Sequence, residues 1–146
     1  SAARGHQVED TAAALLTFEN GALGTITASD SIVGPWSWEQ TAGENPAYPQ
    51  TDQHCYLIGG AKGSLSLPNG EVWLQDEPRS WWRDFRRSGP ARASGEDPLI
   101  LQIAHFCDVI RGDAAPLVSG HEGLKTLRVI EALKQSADTG ETLTLT

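Results

Sequence analysis

The sequence predicts an α+β fold, namely an open, largely antiparallel β-sheet of about six strands with two main helices packed on one face. Short runs of alternating apolar residues, joined by glycine-containing turns, fill the first half of the chain. Two segments with helical periodicity follow them near the C-terminus. The 146 residues are 39% hydrophobic and 21% charged, so we expect a single globular domain over residues 1–146.

The first predicted element is a hairpin that turns at Asn20-Gly21, because two β-compatible runs joined by this dipeptide are a strong hairpin signal. One face of its first strand carries Thr, Ala and Leu without a charged residue. Two helices can cover only one face of a six-stranded sheet. We therefore expect the other face to bind a second subunit, related by a two-fold axis.

A second strand pair is predicted at residues 54–60 and 64–68, on either side of Ala61-Lys62-Gly63. Asn69-Gly70 then turns into a strand at 71–76. Further strands are predicted at 80–87 and, from its alternating residues, at 141–146.

Helix signals follow. Asp97 is suited to cap a first helix that begins with Pro98 and ends at Gly112. Ser119 and Glu122 have the capping-box spacing for a second helix, which Gly140 is expected to end. Both segments carry an apolar stripe at helical spacing, formed by Leu99, Ile103, Phe106, Cys107 and Ile110 in the first and by Leu124, Leu127 and Ile130 in the second.

Composition excludes several classes of function. A net charge of −8 and a pI near 4.8 argue against nucleic-acid binding, and no apolar run is long enough to span a membrane. A cluster of arginines and aromatic residues is interpreted as an edge strand leading into an exposed loop, with single-stranded nucleic acid binding as the alternative; its residues are Arg79, Trp81, Trp82, Arg83, Phe85, Arg86, Arg87 and Arg92. Cys55 and Cys107 are expected to be buried free thiols in the cytoplasm.

Motifs for catalysis or metal binding are absent from the sequence. The glycine-rich stretch at residues 59–64 lacks the spacing of a phosphate-binding loop and is interpreted as a tight β-turn. The four histidines have no metal-ligand spacing, and no nucleophile motif occurs. Glu39 and Glu44 are a conceivable acid pair of a hydrolase, which would require them to converge in space. We assign no catalytic, cofactor-binding or metal-binding residue.

The segment 34–54 is the best candidate for ligand binding, because it places tryptophans and carboxylates on a long loop. Indole rings can stack on a sugar, and the polar side chains can bind its hydroxyl groups. The alternative is that the tryptophans close the edge of a core. The candidate substrate-binding residues are Trp36, Trp38, Glu39, Glu44, Asn45, Tyr48 and His54.

The order of these motifs resembles the C-terminal domain of the Gfo/Idh/MocA oxidoreductases, such as glucose–fructose oxidoreductase and inositol 2-dehydrogenase. The similarity runs from Val8 to Leu145 and is most specific in FENGA at residues 18–22 and in HFCDVIRGDAAPLVSGHEGL at 105–124. The resemblance implies a domain that shapes a sugar or polyol pocket and forms the subunit interface of a dimer or tetramer.

The same resemblance implies that NAD or NADP is bound by a preceding Rossmann domain, which this sequence lacks. We therefore expect the chain to be truncated at its N-terminal edge and inactive alone, with no cofactor of its own. The expected function is to contribute the substrate pocket of an NAD(P)-dependent dehydrogenase that acts on a small carbohydrate. The alternative is a dimerisation module without catalytic function.

Overall fold

The computed structural model describes residues 2–89 and 97–145. Within these two ranges, six antiparallel strands and three helices confirm the α+β class. In chain order the elements are β1 (Thr11–Thr17), β2 (Leu23–Ser29), α1 (Trp38–Ala42), β3 (Tyr56–Gly60), β4 (Gly63–Leu67), β5 (Glu71–Leu74), β6 (Arg86–Ser88), α2 (Pro98–Arg111) and α3 (Gly120–Thr139).

The strands form two sheets, whereas the sequence predicted one. β1 pairs with β2, and the second sheet has the order β3-β4-β5-β6. The chain divides into two compact units, the first made of Ser1–Ile32 and Gly112–Thr146, and the second of Val33–Arg111. The first unit contains the two-stranded sheet and α3, and the second contains the four-stranded sheet with α1 and α2.

The predicted first hairpin is confirmed, and its turn has the expected chemistry. Gly21 adopts a φ of 83°, which a residue with a Cβ avoids. The Phe18 N–H donates to the Ala22 carbonyl at 2.9 Å, and the Asn20 side chain accepts from the Ala22 N–H at 3.0 Å. These bonds close the turn and fix the register, in which Leu15 lies opposite Thr25.

A polar network holds the open end of this hairpin. One carboxylate oxygen of Asp10 accepts the Arg4 backbone N–H at 2.7 Å, and the other accepts the Thr11 hydroxyl at 3.0 Å. The Arg4 N–H is the main reason that the pKa of Asp10 lies below its usual value, because the bond favours the ionised carboxylate. The Thr11 hydroxyl also lies 2.7 Å from the Ser29 hydroxyl and 2.8 Å from that of Ser31, so the network joins the ends of β1 and β2.

The uncharged face of the hairpin is open. Leu15 is 85% exposed and Leu23 is 80% exposed, on the face that also carries the Ala13–Thr27 pair. This is the face for which the sequence predicted a partner subunit. Its binding of a second chain stays a prediction.

The C-terminal part begins with the predicted α3. The Ser119 hydroxyl accepts the Glu122 N–H at 3.3 Å, and Gly140 ends the helix in the left-handed conformation with its N–H on the Ser136 carbonyl at 2.9 Å. Both predicted caps are thereby confirmed.

The predicted strand at 141–146 is wrong for its described part, because residues 141–145 form no strand. The end of α3 binds the backbone that the strand would need. The Ser136 hydroxyl donates to the Glu141 carbonyl at 2.6 Å, and the Glu141 N–H donates to the Thr139 hydroxyl at 3.2 Å. Thr146 lies outside the described residues.

The four-stranded sheet of the second unit contains the predicted strand pairs. Gly60 and Gly63 face each other at the end of the β3–β4 hairpin, so the glycine-rich stretch is the expected β-turn. The strand predicted at 80–87 begins only at Arg86. Residues 80–85 instead form a turn, since the Gln75 amide donates to the Ser80 and Arg83 carbonyls and takes their backbone out of any ladder.

Helix α2 begins as predicted, with the Asp97 carboxylate accepting the Leu99 N–H at 2.9 Å, and it is followed by Gly112 at a φ of 82°. The apolar stripes of α2 and α3 are exposed except at the half-buried Cys107, as are most large hydrophobic side chains among the described residues. The packing of the helices on a sheet therefore stays a prediction. No helix in the described part of the chain is both long and apolar enough to cross a bilayer.

Candidate functional site

The candidate loop contains a short helix that sequence reasoning missed. Ser37 caps α1 by accepting the Gln40 N–H at 3.2 Å, and Gly43 ends the helix at a φ of 68°. The signal was present in the sequence, because Ser37 and Gln40 have capping-box spacing and a glycine follows one turn later. This helix fixes the directions in which the loop side chains leave the backbone.

Thr51 ties the helix to the rest of the loop, and Thr41 holds the first turn of the helix. The Thr51 N–H donates to the Gln40 carbonyl at 2.8 Å, and the Thr51 hydroxyl donates to the Pro35 carbonyl at 2.9 Å. Thr41, which is 6% exposed, donates its hydroxyl to the Ser37 carbonyl at 2.8 Å. The start and end of the loop are thereby held together, so the loop has a defined conformation.

Trp38 is the centre of the candidate site. Its indole N–H donates to a Glu44 carboxylate oxygen at 3.0 Å. Its ring packs against Tyr56 at the start of β3, with centroids 5.9 Å apart and planes tilted by 49°. We call Trp38, Glu44 and Tyr56 the indole cluster. Trp38 remains 38% exposed, so part of the ring is available to a ligand.

The other predicted aromatic residues stand more in solvent. Trp36 is 53% exposed and its ring lies against the backbone of Gly34, where an added Cβ would come within 2.7 Å of the ring. Tyr48 is 47% exposed. Asn45 forms the turn before it, since its side-chain oxygen accepts the Ala47 N–H at 2.9 Å. The structure therefore gives Asn45 a structural role in the loop.

The remaining predicted residues are Glu39 and His54. Glu39 is exposed in the first turn of α1, and His54 is half-buried just before β3. Neither side chain makes a hydrogen bond or ion pair within residues 2–89 and 97–145. The structure thus joins Trp38 and Glu44 directly, whereas ligand binding by Glu39 and His54 stays a prediction.

Sequence reasoning missed Tyr56 and the role of Cys55. The Cys55 N–H donates to the Leu67 carbonyl at 2.9 Å, which continues the β3–β4 pairing by one residue. The Thr41 hydroxyl donates to the Cys55 sulfur at 3.6 Å and connects α1 to that strand. Cys55 and Cys107 are both free thiols, as predicted, but they are half-buried rather than buried. The only sequence signal for Tyr56 is its place directly after the loop.

The charged residues of the candidate loop are all acidic. Residues 33–61 contain Glu39, Glu44 and Asp52 but no lysine or arginine. Carboxylates accept hydrogen bonds from hydroxyl groups and repel other anions. This segment can therefore accept hydroxyl or other hydrogen-bond donors and disfavours anionic ligands.

The setting of the glycine-rich turn differs from that of a dinucleotide-binding turn. The glycine-rich turn at residues 59–64 joins two antiparallel strands, whereas a dinucleotide pyrophosphate is bound where such a turn opens a helix. No group of three or more His, Cys, Asp or Glu residues in this part of the chain could hold a metal ion. A shallow depression of about 240 Å³ lies on the first hairpin, but alanine, leucine, isoleucine and threonine line it, and no predicted site residue is among them.

The chain was compared with protein families, curated proteins and solved structures. No curated protein and no solved structure matches it. Residues 1–145 match the family described as the oxidoreductase family, C-terminal alpha/beta domain. The chain therefore belongs to the Gfo/Idh/MocA oxidoreductase family, of which it is a C-terminal α/β domain.

Proposed function

We propose that this chain is the substrate-binding and subunit-interface domain of an NAD(P)-dependent oxidoreductase that acts on a sugar, a polyol or a related carbohydrate. The observation that carries the proposal is the indole of Trp38, which Glu44 and Tyr56 hold in a half-exposed position. A fixed aromatic face beside a carboxylate is typical of a site that binds a ring with hydroxyl groups. Membership of the oxidoreductase family supports the reaction class.

In the intact enzyme, NAD or NADP supplies the chemistry, a hydride transfer between its nicotinamide and a carbinol carbon of the substrate. We propose that a Rossmann domain preceding this chain binds the cofactor. The described residues bind and orient the substrate. We place no catalytic residue among them.

The indole cluster, together with Trp36 and Glu39, provides two kinds of contact to such a substrate. The exposed part of the Trp38 ring and the ring of Trp36 offer apolar faces to the C–H groups of a sugar. One oxygen of Glu44 binds the indole N–H, which leaves the other oxygen and the Glu39 carboxylate to accept hydroxyl groups. Because the loop contains no cationic side chain, we propose a neutral substrate rather than a sugar phosphate or a sugar acid.

The open face of the β1–β2 hairpin is proposed to form a subunit interface in a homodimer or homotetramer. The exposed Leu15 and Leu23 support this role, because an uncharged apolar surface gains free energy when a partner removes it from water. We also propose a cytoplasmic location, which the free thiols of Cys55 and Cys107 support.

The exposed face of the β1–β2 hairpin also favours a second function, which is dimerisation alone. If the chain acts only through Leu15, Leu23 and their neighbours, it is a dimerisation module without a substrate. The indole cluster would then only support the fold of the loop. A hydrolase, in contrast, requires two converging carboxylates, and Glu44 already binds Trp38.

Substitution of Trp36 separates these functions. In the full-length enzyme, Trp36→Ala is expected to raise KM for a neutral polyol about tenfold, a loss of about 1.4 kcal/mol in binding, while kcat and the melting temperature stay nearly unchanged. Trp36→Phe, the matched control, keeps an aromatic face and should restore most of the affinity. A lower melting temperature with unchanged KM would contradict the proposal and favour the structural role.

A further inference from the structure

The turn at residues 80–85 exposes three aromatic side chains. Trp81 is 99% exposed, Trp82 is 93% exposed and Phe85 is 63% exposed. We call this segment the aromatic turn. It belongs to the same unit as the four-stranded sheet, whereas the first hairpin belongs to the other unit.

The aromatic turn is held in one conformation chiefly by the Gln75 side chain, with a further bond to the Ser80 hydroxyl. The Gln75 amide donates to the Ser80 carbonyl at 2.8 Å and to the Arg83 carbonyl at 2.9 Å, and its oxygen accepts the Ser80 N–H at 3.0 Å. The Trp82 N–H donates to the Ser80 hydroxyl at 3.2 Å. Neither indole N–H of the turn makes a hydrogen bond within the described ranges. The turn therefore presents its indoles without depending on them for its own shape.

Salt bridges fix the residues beside the turn. Arg79 pairs with Glu77 at 3.1 Å, and Arg86 pairs with Asp76 at 2.7 Å. Phe85 meets the Trp73 ring edge-on, with centroids 6.4 Å apart. A group that is already ordered loses less entropy when a partner binds, so the backbone of the turn and the Phe85 ring are pre-organised for docking.

Arg83 and Asp84 differ from these flanking residues. They are adjacent, exposed and opposite in charge, and neither forms an ion pair in the described part of the chain. Each is therefore available to a charge on another molecule.

The exposed aromatic area of the turn indicates how large a binding partner must be. An aromatic side chain buries about 150–250 Å² when it is covered, so the three rings together offer roughly 400–600 Å². This is as large as the largest apolar patch of a typical monomer, about 300–600 Å², and at least about half of the ~800 Å² that each partner contributes to a stable interface. A single sugar ring would cover only a small part of it.

We propose that the aromatic turn docks on the same turn of a second copy of this chain. Two copies related by a two-fold axis present the same residues to each other. Arg83 of each copy then meets Asp84 of the other, so two symmetric ion pairs form across the axis. The indoles pack in the centre. Indole rings at the centre with charges at the rim are typical of interface hot spots. This contact is independent of the proposed substrate and adds to any pairing through the first hairpin.

Sedimentation velocity over a concentration series tests the contact. The double variant Trp81→Ala/Trp82→Ala is expected to weaken self-association at least tenfold, or to halve the mass of the assembly if the first hairpin also pairs. Trp36→Ala is the matched control, since it removes an exposed indole elsewhere in the same unit and should leave the mass unchanged. Self-association of the double variant with unchanged affinity would overturn the proposal, as would a chain that is monomeric at every concentration.

Charge substitutions test the two-fold arrangement itself. Arg83→Asp places like charges opposite each other and should weaken the association. The swap Arg83→Asp/Asp84→Arg restores opposite charges across the axis and should recover it, and failure to recover would refute the two-fold pairing. If the wild-type chain stays monomeric while a single-stranded oligonucleotide quenches its tryptophan fluorescence, the assignment of a second copy as partner is wrong. Far-UV circular dichroism of each variant is the control for correct folding.

Discussion

Replacing Glu44 by alanine tests whether the indole cluster holds Trp38 as the structure shows. The substitution removes the carboxylate that accepts the indole N–H at 3.0 Å and leaves the contact with Tyr56 in place. Because Glu44 follows the end of α1, the change alters neither the Ser37 cap nor the Gly43 turn. The expected result is a Trp38 ring that is less firmly held in an otherwise unchanged loop.

The magnitude follows from the two contacts of the ring. A hydrogen bond to a charged group contributes about 1.5–3 kcal/mol net, and the low end applies because this bond is exposed to solvent. The aromatic pair contributes about 0.5–1.5 kcal/mol. Glu44→Ala thus removes at least half of what holds the ring, and a loss of about 1.4 kcal/mol raises its undocked population about tenfold.

Hydrogen exchange of the tryptophan indole N–H groups, measured by NMR, reads this population directly. The Trp38 indole N–H should exchange about five to ten times faster in Glu44→Ala, in line with a loss of 1–1.4 kcal/mol. Glu39→Ala is the control, because it removes a carboxylate from the same loop that makes no contact with the indole. Equal exchange in the two variants, or unchanged exchange in Glu44→Ala, would refute the description of the cluster.

Two further predictions concern the first unit. Gly21→Ala should lower the free energy of unfolding by about 1–2 kcal/mol in urea titrations, because Gly21 has a φ of 83°. Gly123→Ala is the control, since Gly123 lies at an open position within α3, and it should raise the free energy of unfolding by about 0.5–1 kcal/mol. Equal effects of the two substitutions would contradict the turn assignment. The Arg4 N–H lowers the pKa of Asp10 in the folded chain, so in acid the unfolded chain binds more protons than the folded one. The stability from this bond should therefore be complete above about pH 4 and disappear as pH falls through the lower folded pKa. Asp10→Asn should remove that part of the pH dependence, and an unchanged acid profile would show that Asp10 does not cause it.

Elements that are encoded by neighbouring residues could be predicted from the sequence. The hairpin at Asn20-Gly21 and the caps at Ser119 and Gly140 each depend on bonds within about five residues, and each is confirmed. The strand at 141–145 failed for a related reason. Its alternating pattern was real, but the hydroxyl groups at the end of α3 bind the Glu141 backbone, and strand periodicity carries no information about that competition.

Prediction of the site was limited by contacts that cross between elements. Composition marked the loop and both residues of the Trp38–Glu44 bond, which are close in sequence and joined by the turn after α1. Tyr56 was missed because its contact depends on where β3 begins relative to α1. The Gln75 side chain was missed as well, since nothing local indicates that one glutamine binds the backbone at Ser80 and Arg83.

The first hairpin has a consequence for the solution behaviour of the chain. Its sheet has only two strands, so β1 and β2 each have one edge without a paired strand in the described part of the chain. Neither strand contains a charged residue or a proline, the residues that normally prevent edge-to-edge aggregation. An uncovered hairpin of this kind is a template for fibril growth. We therefore expect that a partner covering either strand edge would protect the chain against aggregation, whatever substrate it binds.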